Sequence, residues 1–206
     1  MKLVCLSDLH GHLPENLPQA DCVILAGDYM PDQHYQEEWV ESCFAPWLQG
    51  LSQRAFVIGV AGNHDRLFEE QPQIAKNLTW NYLQNSSCSY GGLKFWGTPW
   101  THQIFPMAFA ASKEELQRAF EQAPTQVDVV VSHGPPHGVL DRDPSGQHVG
   151  SLAFRRWVLG AKPQVVVSGH IHGGYGQARL GSTTVINAAL VDEDYVPRNP
   201  LILIEL

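Results

Sequence analysis

The stretch "QVVVSGHIHGG", residues 164–174, decides the fold. Val165-Val166-Val167 is short, continuous and β-branched, the pattern of a strand buried on both faces. It runs directly into two histidines. If the extended backbone persists past Ser168, side chains two apart share a face, and His170 and His172 project into one space with backbones about 7 Å apart. That spacing is too wide for a ring-to-ring hydrogen bond. It suits two imidazoles bracketing a metal ion or a close pair of ions. Taken alone, the pair reads equally well as capping histidines on a turn, so the rest of the chain has to decide.

The same grammar recurs four more times: an apolar run ends and a polar cluster follows at once. "KLVCLSDLHG" gives Leu3–Leu6, then Asp8 and His10. "DCVILAGDYM" gives Cys22–Ala26, then Gly27 and Asp28. "AFVIGVAGNHD" gives Ala55–Ala61, then Gly62, Asn63, His64 and Asp65, and "VDVVVSHGPP" gives Val127–Val131, then His133. Between these runs lie helix candidates. Glu37–Leu51 is amphipathic through Trp39, Val40, Phe44, Trp47 and Leu48, with Pro46 expected to kink or restart it. Ser112-Lys113-Glu114-Glu115 is a capping box opening a helix to about Gln122. A third helix opens at Ser151 and runs through Phe154, Trp157 and Val158 to near Gly160. Residues 86–90 and 94–96, joined by Gly91-Gly92, read as a hairpin, as do 179–180 and 183–187. "PLILIEL", residues 200–206, reads as a closing strand buried on both faces.

Strands alternating with helices give an α/β class, with more antiparallel strands than a simple doubly wound sheet needs. In open α/β sheets, ligands collect outside the carboxyl ends of the strands, where all five polar clusters fall. The glycines before Asp28, Asn63 and His170 are expected to let the backbone turn sharply there. Residues 134–150, "GPPHGVLDRDPSGQHVG", read as a long functional or mobile loop. No linker or internal repeat is visible, so residues 1–206 are expected to form one domain, a length that supports a sizeable core.

The formal net charge of −8, from 13 Lys+Arg against 21 Asp+Glu, argues against a nucleic-acid polymer as partner. It leaves room for a small phosphorylated substrate, because local cations can reverse the sign at a site. Cys5, Cys22, Cys43 and Cys88 form no CxxC pair and read as small hydrophobes in a reducing compartment. No apolar run approaches the ~20 residues of a membrane span, and strand-like sequence begins at Lys2. The expectation is a cytoplasmic protein with no membrane partner; the oligomeric state stays open.

Assembled, the clusters offer seven N and O donors: Asp8, His10, Asp28, Asn63, His133, His170 and His172. One tetrahedral ion uses at most four, so seven fit two ions of higher coordination with one carboxylate bridging. Imidazoles favour Mn, Fe, Co, Ni or Zn, while carboxylates and the amide suit harder ions. The expected cofactor is therefore a pair of divalent or trivalent transition-metal ions, Mn foremost.

The ordered pattern DxH…GD…GNHD…H…GHxH, from Asp8 to His172, resembles the calcineurin-like metallophosphoesterase superfamily. "GTPW" (97–100), "SHGPP" (132–136) and "GHIHGGYG" (169–176) further resemble its small metallophosphoesterase-domain proteins related to class III cyclic-nucleotide phosphodiesterases. The resemblance implies a four-layer α/β/β/α sandwich. It implies one ion on Asp8, His10, Asp28 and His172, and a second on Asp28, Asn63, His133 and His170, with Asp28 bridging. It implies hydrolysis of a phosphodiester or phosphomonoester, with nucleotides and cyclic nucleotides among the candidates, by a hydroxide shared between the ions. It places His64 beside the phosphate as the group that protonates the leaving oxygen, and makes Asp28 and His64 the catalytic pair. Asp65 would orient His64 or N-cap the segment that follows it.

Asn63, His64, Tyr175 and Trp100 are the candidate substrate contacts, the aromatic pair by stacking; core packing competes for Trp100. His12, His34 and His102 read as solvated or bystander side chains; His137 and His148 lie in the 134–150 loop, where lining an entrance is the lesser reading beside that of ordinary loop residues. The competing reading is a non-catalytic nucleotide-binding or scaffold protein using the same pocket. Loss of a ligand would favour it, and none is lost. An amidohydrolase barrel fits poorly, since such enzymes carry an early HxH and a longer chain.

Overall fold

The computed structural model of the chain describes residues 1–31, 35–102 and 106–206; His34 lies outside them. The five β-branched or aliphatic runs form strands at the core of two facing sheets. The first sheet has the order β13-β1-β2-β3-β4, built from β1 (Lys2–Leu6), β2 (Cys22–Leu25), β3 (Phe56–Gly59), β4 (Asn81–Tyr82) and β13 (Ile202–Glu205). The second has the order β11-β12-β10-β9-β6-β5. Its strands are β5 (Ser86–Tyr90), β6 (Leu93–Thr98), β9 (Val129–Ser132), β10 (Val165–Ser168), β11 (Gly176–Leu180) and β12 (Thr183–Asn187). A small pair, β7 (Thr101–His102) and β8 (Ala110–Ala111), stands apart.

Pairing is parallel from β1 to β4 and through β12-β10-β9-β6, and antiparallel at the edges β13, β11 and β5. Both expected hairpins are present. The closing strand differs from expectation: β13 is an edge strand, and Leu203 on it is exposed. An apolar run at an edge, with β1 on one flank only, covers one face.

Alternation along the strands separates three cores. Leu3, Cys5, Ile24 and Ile58 meet Phe95, Val131, Val167 and Ile186 between the sheets. The opposite faces of the first sheet, with Val4, Leu6, Val23, Leu25 and Val57, bury helical residues such as Phe44, Leu48 and Phe68. Val130, Val166 and Val185 of the second sheet bury Leu116, Phe120, Phe154 and Trp157. Helix, sheet, sheet and helix therefore stack as four layers, as expected.

On the outer side of the first sheet, α1 (Gln36–Trp39), a π-helical turn (Val40–Phe44) and α2 (Ala45–Ser52) form one continuous rod. Pro46 sits in the first turn of α2, and the Ala45 N–H donates to the Val40 carbonyl, five residues back. The proline without an N–H is thus absorbed by a widened turn rather than a break. Phe44 stacks on Tyr29 at 4.9 Å and contacts Trp39, Trp47, Phe68 and Trp80. Two short helices follow the third strand, α3 (Arg66–Glu70) and α4 (Pro72–Asn77). On the second sheet, α5 (Lys113–Glu121) opens with the capping box, Ser112 Oγ accepting from Glu115 N–H and the Glu115 carboxylate from Ser112 N–H. The last helix, α6 (Leu152–Ala161), is capped by Ser151.

The ends of β1 and the segment after β12 are joined by backbone bonds, Ser7 N–H to Ala188 O at 2.9 Å and Leu190 N–H to Ser7 O at 2.8 Å. The two sheets therefore meet at the rim that carries the polar clusters. No helix among the described residues is long and apolar enough to cross a membrane.

Phe44→Ala removes the hub of the aromatic cluster beneath the Asp28 loop. It is expected to cost about 3–5 kcal/mol of unfolding free energy, measured by denaturant titration.

Candidate metal centre

Five strands end within reach of one another. Asp8 and His10 follow β1, Asp28 follows β2, Asn63 and His64 follow β3, His133 follows β9, and His170 and His172 follow β10. The first sheet supplies the carboxylates and the amide; the second supplies three imidazoles. Ligand-type atoms converge within 4.8 Å in three sets: Asp8, His10 and His172; His10, Asp28 and His64; and Asp28, His133 and His170. Asp8, Asp28 and His133 are fully or almost fully buried.

The backbone at this rim is strained. Asp8 (φ 52°), His10 (φ 41°), Asp28 (φ 57°) and His170 (φ 67°) all lie in the left-handed region that favours glycine. For His170 this overturns the extended-backbone expectation: β10 ends at Ser168, His170 turns left-handed, and His172 opens a short 3₁₀ turn over His172–Gly174. The two rings enter different sets because of that turn, not because of strand alternation. The glycine expectation is corrected in part. Gly27 has φ 100°, but Gly62 and Gly169 are needed for space. A Cβ on Gly62 would lie 2.2 Å from Asp28 Oδ1, and one on Gly169 would lie 2.0 Å from Asp8 Oδ2.

The ring tautomers are fixed by backbone carbonyls. His133 Nδ1 lies 2.8 Å from the Ala26 oxygen, and His172 Nδ1 lies 3.0 Å from the Asp192 oxygen. A carbonyl only accepts, so each Nδ1 carries the proton and each Nε2 faces the cluster. His133 Nε2 then stands 3.0 Å from Asn63 Oδ1 and 3.1 Å from Asp28 Oδ2. His172 Nε2 stands 3.3 Å from Asp8 Oδ1. A lone pair facing oxygen acceptors is tenable only with a cation between them, a proton or a metal. Both ring nitrogens of His10 are buried and have no hydrogen-bond partner among the described residues, although Nε2 is 3.9 Å from Asp28 Oδ2. An orphaned buried imidazole amid carboxylates, in an all-N/O donor set, fits a metal ion.

Electrostatics agree with that demand. Burial pushes Asp8 and Asp28 upward, yet the bond from His172 and the charge of His133, respectively, outweigh it and hold both below the ordinary carboxylate range. Burial opposes charge on His133, but Asp28 and Asp8 overcome it and raise the imidazole to about 9. His170, buried and facing His133, is lowered to about 4.

Asp65 does something the sequence did not show. It occupies the N-cap position of α3, but its side chain makes no capping bond. Oδ1 accepts from Tyr29 and Met30 N–H, and Oδ2 from Asp28 and Gly62 N–H, at 2.8 to 3.2 Å. With two donors on each oxygen, it has no lone pair left to orient His64. It clamps the Asp28 loop to the Asn63 loop. Burial and the Asp28 charge push its carboxyl up, to about 7, against the pull of the Gly62 and Met30 N–H groups. Gln36 fixes the same loop from outside, donating to the His64 carbonyl and accepting from Leu67 N–H. The His64 ring lies 4.8 Å from that of His10, centroid to centroid.

Tyr175 is a correction: its ring packs on the inter-sheet core and its hydroxyl donates to the Pro200 carbonyl. Tyr195 stands at the cluster instead, with its ring 4.7 Å from His10 and 5.2 Å from His172. Trp100 packs on Phe109 and lines a narrow crevice with Ser132, Gly134 and His170. His12 is exposed. His102, His137 and His148 line a neighbouring cavity of about 410 Å³ with Lys113 and Arg156. The 134–150 segment is better held than its composition implied. Buried Asp141 ties it together through Gly138 N–H, Gly150 N–H and the His148 ring.

The family model for calcineurin-like phosphoesterases matches residues 1–174. Metallophosphoesterase domain-containing protein 1 of Homo sapiens is 30% identical, the match covering all of this chain and 71% of that protein. The fold is similar to a solved Thermus thermophilus protein, with TM-score 0.64 and 16% identity over 90% of this chain and 88% of that one. It is also similar to a putative 5'-nucleotidase of Staphylococcus aureus, with TM-score 0.55 and 16% identity over 90% of this chain and 48% of that one.

Asp65→Asn keeps every donor of the cluster but turns an amide N–H₂ toward backbone N–H groups. It is expected to weaken metal binding by about 10–100-fold, as loss of a supporting partner does, read by calorimetric titration of the metal-free protein. An unchanged affinity would mean that the two loops are held without it.

Proposed function

The chain belongs to the calcineurin-like phosphoesterase family, and on that premise we propose that it is a dinuclear-metal phosphoesterase acting on a small phosphomonoester or phosphodiester. The observation that carries the reading is the position of Asp28. Its carboxylate is shared by the set with His10 and His64 and the set with His133 and His170, and His10 in turn joins the first of these to Asp8 and His172; His133 Nε2 faces both Asp28 and Asn63 Oδ1. In this reading Asp8, His10, Asp28 and His172 hold one cation, and Asp28, Asn63, His133 and His170 hold the other. Manganese heads the candidates because the donor set mixes imidazoles with carboxylates and an amide.

Two cations so held would lower the pKa of a water and offset the charge that develops on the phosphoryl oxygens. The chain's own residues do the rest. Asp28 and Asp8 would fix the cations in position, and the Asp65 clamp holds the Asp28 loop. Asn63 and His64 sit on one loop, so phosphate engaged at Asn63 brings the ester oxygen toward His64. Water adds to phosphorus, the P–O bond to the leaving group breaks, and His64 gives the departing oxygen its proton.

Metal titration is expected to saturate near two equivalents per chain, and a panel of phosphomonoesters and diesters with Mn, Fe, Co, Ni, Zn and Mg should show hydrolysis. Saturation at one would sink the dinuclear reading. Asp28→Ala is expected to be the most damaging ligand change, since it removes a donor from both sets; near-normal turnover at saturating Mn would refute its bridging role.

His64→Ala should keep both metals and lose roughly 10²–10⁴-fold on alkyl esters, the usual worth of acid–base catalysis, but clearly less on a nitrophenyl ester. Equal losses on both esters would show that His64 positions the phosphate rather than protonating the leaving group.

A further inference from the structure

Tyr195 is hard to explain as structure. It is 44% exposed, so a large part of its ring surface stays open to solvent beside the cluster. Its φ of 60° is a conformation that bulky side chains avoid and that glycine or asparagine would adopt more readily. The loop holds it there all the same. Asp192 Oδ1 accepts from Asp194 and Val196 N–H, Tyr195 N–H donates to the Asp192 carbonyl, and Arg198 pairs with the Asp192 carboxylate at 2.6 Å. The other carbonyl duty of Asp192 is to fix His172. One turn therefore orients a metal-type histidine and presents an aromatic ring beside it.

The ring has three histidines of the cluster among its neighbours. It meets His10 and His172 edge-on, and its centroid is 6.4 Å from that of His64. In the proposed reaction His64 faces the departing oxygen, so whatever that oxygen carries projects toward Tyr195. We infer that Tyr195 is a substrate-positioning residue whose exposed ring packs against a planar aromatic leaving group, giving the site a preference for aryl over alkyl phosphoesters. This rests on the phosphoesterase reading above. The preference supplied by one offset or edge-on aromatic contact is roughly two- to tenfold.

The test uses the full chain loaded with manganese, and binding of phenylphosphonate and methylphosphonate, neither of which can be hydrolysed. Calorimetry would compare wild type, Tyr195→Phe and Tyr195→Leu, with metal content measured in each. Leucine leaves the backbone at the same φ cost but removes the aromatic face; phenylalanine keeps the face. Wild type and Tyr195→Phe are expected to bind phenylphosphonate two- to tenfold tighter than methylphosphonate. Tyr195→Leu should bring the ratio near one while holding methylphosphonate affinity within about twofold. The ratio of kcat/KM for phenyl phosphate to that for an alkyl phosphate should fall in parallel. A ratio unchanged by Tyr195→Leu, or a loss on both ligands together with lost metal, overturns the role and leaves Tyr195 as a prop for the histidines. If neither phosphonate binds the manganese-loaded wild type, the phosphoesterase reading falls, and this role with it.

Discussion

Asp8 and Asp28 are carboxylates with essentially no exposure to water, set at the meeting edge of two sheets. Burying an ionised carboxylate is tolerable only where partners offset its charge. The partners here are not lysines or arginines but imidazoles: His133 and His172 on the opposite sheet, each with its Nδ1 proton committed to a carbonyl, His170 beside them, and His10 on the same sheet with both nitrogens buried. Imidazoles in that state neutralise a carboxylate only by holding a proton or by sharing a cation with it. The architecture around them follows from this demand: parallel strands that end together, tight turns that bring each donor in, and a second layer of groups that stops the donors from relaxing.

The backbone bears the cost of that convergence. Four of the donors sit at left-handed φ, where the strain of a non-glycine residue persists only if its surroundings over-determine it. Three fully packed cores stiffen the strands below, and the loops above are tied to each other. Asp28 is held by its own carbonyl, which accepts from Leu9 and His10 N–H, and by its N–H, which donates to Asp65. Asp8 accepts the His170 N–H on its carboxylate, which ties the two sheets' loops directly. Strain and stiffness are thus two descriptions of the same packing.

Much of this was legible in the chain because strand ends are marked twice, by an apolar run that stops and by a polar residue that starts. That is why β1, β2, β3, β9 and β10 and their seven donors could be read together, and why the capping box at Ser112 and both glycine hairpins were visible. The parts that escaped depend on contacts without a sequence period. Asp65 looks like an N-cap from its position before Arg66, and only the three-dimensional approach of the Tyr29 loop shows its carboxylate turned the other way. Tyr175 closes the His172 turn just before β11, and its ring packs on the inter-sheet core. Tyr195 lies 23 residues beyond His172, in a stretch with no motif of its own. The left-handed donors were also hidden: a φ above zero is announced by glycine, and at Asp8, His10, Asp28 and His170 no glycine stands.

Two of the three donor sets draw on both sheets. Asp8 and His10 from the first join His172 from the second, and Asp28 from the first joins His133 and His170 from the second. Between the sheets themselves the contact is apolar and closely packed, and it sets their spacing without hydrogen bonds. The bonds at Ser7 and the donor sets add directional contacts at the rim that carries the site. A cation held between the sheets would therefore do two things at once. It would complete the charge balance of the buried carboxylates, and it would lock the relative position of the sheets where His64 and Tyr195 must face the same small space. In such an architecture site and scaffold are built from the same strand ends, and the donors that would hold the cation also tie one sheet to the other.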